Sequence, residues 1–171
     1  FARHLAEHYR ARLAISGRSA LDARVEEALE QLRALGAEAV YLQADIADAD
    51  RTRTLIADVK ARFGALNGVL HSAGVNDDAL LIRKDRAQFR RVLAPKVQGT
   101  LNLDRFTADE PLDLFVLFSS GAGSFGNVGQ TDYAYANAFM DAFADHREAA
   151  RARRTRYGRT LSIGWPYWQA G

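Results

Sequence analysis

The segment QTDYAYANAF, residues 130–139, sets Tyr133 and Asn137 four residues apart in an alanine-rich stretch. On a helix that spacing stacks a phenol and a carboxamide on one face, one turn apart. A phenol donates a proton and a neighbouring carboxamide holds a water. The competing reading is a half-buried packing tyrosine with an incidental asparagine. Two other residues favour chemistry. Ser120 closes the apolar run LDLFVLFSS, which reads as a strand, so its hydroxyl belongs at the rim of a sheet, one loop before Tyr133. Lys96 lies on the preceding helix and is one of only three lysines in a chain with 20 arginines. A seryl hydroxyl, a phenol, an ammonium and an amide drawn from adjacent elements make a proton-delivery site. An isolated phenol titrates at about 10, too high for easy exchange at neutrality. A nearby ammonium stabilises phenolate and brings the group toward the working range.

The elements that position these residues alternate. Apolar runs at 11–17, 39–45, 66–74, 112–120 and 159–165 read as strands. Between them, amphipathic segments at 19–38, 46–64, 84–107 and 130–153 read as helices, the third with an irregularity expected at Pro95. Leu21, Val25, Leu29 and Leu32 keep helical register in the first, and Leu55, Val59 and Phe63 in the second. Strands apolar throughout, joined by helices, predict right-handed crossovers and a parallel sheet covered on both faces. The fold class is α/β, a doubly wound parallel sheet. Such sheets bind ligands outside the carboxyl ends of their strands. The residues there are Ser16-Gly17-Arg18-Ser19, Asp45, Ser72-Ala73-Gly74, Ser119-Ser120 and Trp165-Pro166, small or polar as a close backbone approach to a flat polar ligand requires.

Bulk properties exclude other classes. The 171 residues suit one domain, residues 1–171, and the net charge of +2 is too small for a nucleic-acid partner. The basic run at 147–159 reads as a solvated helix end. Without cysteine there is no disulfide or thiolate zinc site, and His4, His8, His71 and His146 lack ligand spacing, so no metal is expected. No stretch reaches the roughly 18–20 apolar residues of a membrane span, and no signal-peptide pattern opens the chain. A cytoplasmic protein without a membrane partner is expected.

The string LHSAGVNDD, followed by LAPKVQGTLNL, FVLFSSGAGSFGNVGQTDYAYANAFMDAF and LSIGWPYW, closely resembles the ketoreductase domains of modular polyketide synthases. These belong to the short-chain dehydrogenase/reductase superfamily, and the likeness covers essentially the whole chain. Ordinary members of the superfamily carry a lysine four residues after the tyrosine. Here Asn137 stands there and Lys96 sits on the earlier helix, the exchange typical of the polyketide branch.

The resemblance implies Rossmann-like architecture, NADPH as cofactor, and a β-ketoacyl thioester delivered on the phosphopantetheine arm of an acyl carrier protein, with neighbouring synthase domains as partners. It implies that Tyr133 protonates the carbonyl oxygen, Ser120 hydrogen-bonds the developing alkoxide, Lys96 serves the tyrosine and the nicotinamide ribose, and Asn137 seats a relay water. Arg18 stands where NAD enzymes carry an acidic residue, and its guanidinium suits a 2′-phosphate. Ser16 and Gly17 precede it; Asp45 and Ile46 match the adenine position, Ser72-Ala73-Gly74 the turn beside the ribose, and Pro166 the strand end near the cofactor. VNDD resembles the Leu-Asp-Asp fingerprint of ketoreductases that form the D-configured alcohol (B-type). Asp78 matches its last aspartate and Asn76 replaces the leucine; the opposite class carries tryptophan at the position of Phe125. The family's first strand and glycine-rich turn are not found ahead of the helix at Phe1, so a sheet lacking its central strand and weak cofactor binding are expected. Two alternatives remain: a redox-silent Rossmann-like scaffold, and a free-standing reductase of small ketones.

Overall fold

The computed structural model describes residues 1–166. The described residues form six α-helices and five strands: α1 (Ala2–Tyr9), β1 (Arg12–Gly17), α2 (Ala23–Ala34), β2 (Glu38–Gln43), α3 (Ala49–Phe63), β3 (Gly68–His71), α4 (Arg86–Phe106), β4 (Leu114–Ser120), α5 (Gly121–Phe125), α6 (Thr131–Ala152) and β5 (Arg159–Trp165). A 3-10 turn at Leu81–Arg83 precedes α4. All strand pairings are parallel.

Side-chain caps set the starts of α2, α3 and α4, which is why the periodic pattern alone begins those three too early. Asp22 accepts from the Val25 amide, Asp48 from the Arg51 amide, and Asp85 forms a capping box with Gln88. Each satisfies an orphan N–H of the first turn and fixes the residue after it as the first helical one. α4 runs unbroken through Pro95. The proline removes one N–H, while its own carbonyl takes a hydrogen bond from the ring of buried His71 at 3.1 Å.

The strands form two ladders, β1–β2 and β3–β4–β5, where a sheet lacking its central strand was expected. Side-chain alternation still buries both faces of the first ladder. Leu13, Ile15, Ala39 and Tyr41 pack with α1 and α2 residues, whereas Ala14, Val40 and Leu42 pack with α3. On the second ladder Phe115 and Leu117 join Leu103, Met140 and Phe143, closing α4 and α6 over one face.

One sequence expectation changes. The basic run at 147–159 is not merely solvated: Arg147 is buried, pairs with Asp104 at 2.9 Å, and lies 4.3 Å over the Phe115 ring. It also donates to the Tyr157 and Gly158 carbonyls and to Thr160 Oγ1, tying α6 to α4 and to the start of β5. Arg156 joins it on Asp104.

His71 is held neutral. Burial, and then the Lys96 charge, lower its pKa from 6.5 to about 4, against the Pro95 hydrogen bond. Below pH 6.5 the unfolded chain takes up a proton that the fold refuses, so stability falls as pH drops toward about 4. At about 1.4 kcal/mol per pH unit the loss reaches roughly 3 kcal/mol. His71→Gln, which keeps a donor for Pro95, is expected to flatten this acid limb in urea unfolding followed from about pH 7.5 to about pH 4.5.

Candidate active site

Three elements converge on Lys96. Its side chain leaves α4, is only 4% exposed, and donates to the Phe118 carbonyl of β4 at 2.8 Å. It also lies 3.6 Å from the Met140 sulfur and 5.7 Å from the centroid of the Tyr133 ring, both on α6. Burial lowers its pKa from 10.5 to about 8, with the charge of Asp141 opposing. That aspartate is anchored by the Ser162 hydroxyl at 2.5 Å.

Asn137 lies one turn beyond Tyr133, as the spacing requires. It is fully buried and its amide donates to the Tyr133 carbonyl at 2.7 Å. Among the described residues its Oδ1 has no hydrogen-bond partner. A buried acceptor left open costs free energy unless water or ligand completes it. That favours a water-holding amide over an incidental one.

Ser120 closes β4 and caps α5, its Oγ accepting from the Ala122 amide at 3.2 Å. Accepting there leaves the hydroxyl proton available to donate. The sequence Gly121-Ala-Gly-Ser-Phe-Gly126 has the form of a dinucleotide-binding turn, strand before and helix after. Its middle glycine, Gly123, serves packing instead. A Cβ on Gly123 would lie 2.9 Å from the Ala138 amide and 3.1 Å from Asn137 Cβ, so α5 rests directly on α6 beside the carboxamide. Gly126 ends α5 at φ 71°.

The remaining predicted residues line the carboxyl ends of the strands. Ser16 and Gly17 end β1, and Arg18 follows it, exposed. Tyr41 donates to the Ser19 carbonyl at 2.6 Å and Gln43 to the Arg18 carbonyl at 2.9 Å, so side chains of β2 hold that loop from beneath. A Cβ on Gly17 would meet Tyr41 Oη at 2.9 Å. Asp45 accepts from the Ala47 amide at 3.0 Å. The Ile46 carbonyl accepts from Asn102 of α4 at 2.8 Å, and the Ile46 side chain rests on Gly99. Ser72, Ala73 and Gly74 are exposed, and a Cβ on Gly74 would lie 3.1 Å from Lys96 Cε. Pro166 is exposed beyond β5. Asp78 accepts from Gln130 at 2.8 Å, and Phe125 is 91% exposed. Lys96, Tyr133 and Asn137 are thus clustered, Ser120 is attached to them through α5, and Arg18 stands apart on the first ladder.

Sequence reasoning missed Lys84, Asp132 and Asp141. Lys84 and Asp132 form an ion pair with both side chains 1% exposed. The signal was present: a lysine among arginines singled out Lys96, and Lys84 is another of the three.

This parallel α/β arrangement is that of the short-chain dehydrogenase/reductase fold. A short-chain dehydrogenase from Mycobacterium avium, 23% identical, superposes with a TM-score of 0.84 over 96% of this chain and 62% of that one. Residues 1–170 match the KR domain, and the chain belongs to that family. It is 46% identical over 92% of its length to polyketide synthase PksL of Bacillus subtilis (strain 168), of which the match spans 4%. The crystal structure of a ketoreductase domain from the bacillaene assembly line is 45% identical, with a TM-score of 0.96 over 99% of this chain and 41% of that one.

Gly123→Ala forces a methyl into backbone that cannot yield. It is expected to destabilise the protein by about 1–3 kcal/mol, read as a lower urea midpoint at unchanged slope.

Proposed function

We propose that the chain reduces a β-ketoacyl thioester, carried on an acyl carrier protein, to the β-hydroxyacyl thioester, using NADPH. The observation that carries this reading is the desolvated Lys96 ammonium, 5.7 Å from the Tyr133 ring centroid. A packing tyrosine needs no buried cation beside it, and a scaffold would not bear its desolvation cost.

The residues at the strand ends fit a nicotinamide dinucleotide. Bare backbone at Gly17 and Gly74 leaves room where any Cβ would crowd Tyr41 or Lys96. Arg18 would take the 2′-phosphate, Ser16 and Gly17 would flank it, Asp45 and Ile46 would meet the adenine, and Ser72-Ala73-Gly74 and Pro166 would border the ribose and nicotinamide. When bound, the cofactor supplies the hydride.

The protein's own groups do the rest. Ser120 donates its free hydroxyl proton to the ketone oxygen and stabilises the charge that develops there. Tyr133 delivers a proton to that oxygen. An ammonium has three donors, and Lys96 uses two on Phe118 and Met140. The third is available to a ribose hydroxyl, while the charge stabilises negative charge on the phenol. Asn137 holds a water at its open Oδ1, through which the phenol regains its proton.

The D-configured alcohol is the product favoured by this reading. Asp78 is held beside the start of α6 by Gln130, and Phe125 stands where the opposite class has tryptophan. The partners in this reading are the carrier protein with its phosphopantetheine arm and the neighbouring domains of a polyketide synthase, and the relatives support the second of these.

The test is NADPH oxidation by the intact protein with a β-ketoacyl thioester. Tyr133→Phe is expected to lower kcat by about 10²–10⁴-fold with NADPH binding retained; unchanged turnover removes Tyr133 from this role. Lys96 is charged below its pKa of about 8, so kcat should hold below that pH and decline as pH rises through it. Lys96→Met should lower kcat and abolish that decline. Arg18→Ala should weaken NADPH by roughly 10–100-fold, the worth of a hydrogen bond to a charged group, and leave NADH nearly unaffected in competition binding.

A further inference from the structure

We propose that Lys84 is a positioning residue that locks the segment carrying Asp77 and Asp78 to the start of α6, and so fixes Tyr133 against the substrate. This rests on the proposed reduction. Lys84 follows the 3-10 turn, and its ammonium pairs with Asp132 while also donating to the Asp77 carbonyl at 2.5 Å. Asp132 is the residue before Tyr133, and its other carboxylate oxygen accepts from the Tyr133 amide at 2.9 Å. A single buried cation therefore bridges the backbone of the stereocontrol segment and the backbone of the proton donor.

Three further contacts join the same two segments or brace them. The Ala79 amide donates to the Gly129 carbonyl at 2.9 Å, Gln130 donates to Asp78 at 2.8 Å, and Arg91 pairs with Asp77. The side-chain contacts of Gln130 and Arg91 are exposed, whereas the Lys84–Asp132 pair is sealed from water. Exposed contacts are screened and exchange readily. A buried pair holds one geometry because neither partner can be released into the low-dielectric interior alone. The placement also suits the helix: Asp132 lies in the first turn of α6, where the helix dipole favours an anion.

Nothing in this arrangement puts Lys84 on the reacting atoms. It acts through Tyr133, whose phenol is carried by the backbone that Asp132 grips, and through Asp78, carried by the backbone one residue from the Asp77 carbonyl. Misplacement of a reacting group by about 1 Å costs up to 10²-fold in rate, so a loosened pair should appear in kcat and in facial selectivity.

The experiment compares wild type, Lys84→Met and the charge-neutral double variant Lys84→Met/Asp132→Asn in the intact protein. It measures kcat and KM with a β-ketoacyl thioester, the ratio of the two alcohol epimers, NADPH binding, and hydrogen exchange of the amides of residues 131–135. The expected result is a kcat about 10–100-fold lower at nearly constant KM and NADPH affinity. A larger share of the minor epimer and faster exchange at the start of α6 should accompany it. Where Lys84→Met does not fold, the double variant, which leaves no lone buried charge, is read for the same quantities. Variants that lose thermal stability while keeping wild-type kcat and epimer ratio overturn the inference and leave the reduction standing. A wild type that does not turn over overturns the proposed function, and this inference with it.

Discussion

Burying one ammonium constrains the rest of the site. A lone cation in a protein interior is costly unless it is hydrogen-bonded, and Lys96 finds its acceptors on two other elements: a carbonyl near the end of β4, and a sulfur and an aromatic face on α6. Those acceptors exist only when α4, β4 and α6 close on one another. The core beneath them, Leu103, Phe115, Leu117, Met140 and Phe143, is what closes them. Packing and electrostatics thus specify the same geometry. The depressed lysine pKa is the visible cost of that closure, and His71, packed under α4, shares it through the same charge.

Most of the fold was legible because the alternation of apolar strands and amphipathic helices is a strong signal. β5 was read at its observed bounds, 159–165. The helices were overextended at their starts because periodicity does not register a cap; Asp22, Asp48 and Asp85 decide those boundaries through one hydrogen bond each. The short α5 and the 3-10 turn at Leu81–Arg83 were not seen, being too brief to show a period. The separation of the strands into two ladders could be inferred only from the resemblance, since each strand by itself looks like any buried parallel strand.

The site was legible to the extent that its members are unusual for their surroundings. Tyr133 and Asn137 stood out in an alanine-rich helix, Ser120 at the end of an apolar strand, and Lys96 among arginines. Asp132 did not, because an acidic residue in a first helical turn has an ordinary local explanation, and Lys84, as rare a lysine as Lys96, shows no partner in the sequence. Only the tertiary structure brings them together across 48 residues of sequence. Arg147 was misread for the same reason: its partner, Asp104, lies on another helix, and a run of arginines in isolation looks like solvated surface.

The seating of Ile46 on α4 has a further consequence. Its side chain beds against Gly99 and its carbonyl is held by Asn102, while Lys96 lies one turn earlier on the same helix. The end of β2 and the buried ammonium are therefore gauged by one rigid rod, not by a chain of loops that could stretch or slacken. The spacing between the two is therefore set by helix rise, about 1.5 Å per residue, and does not depend on the loops that join the elements.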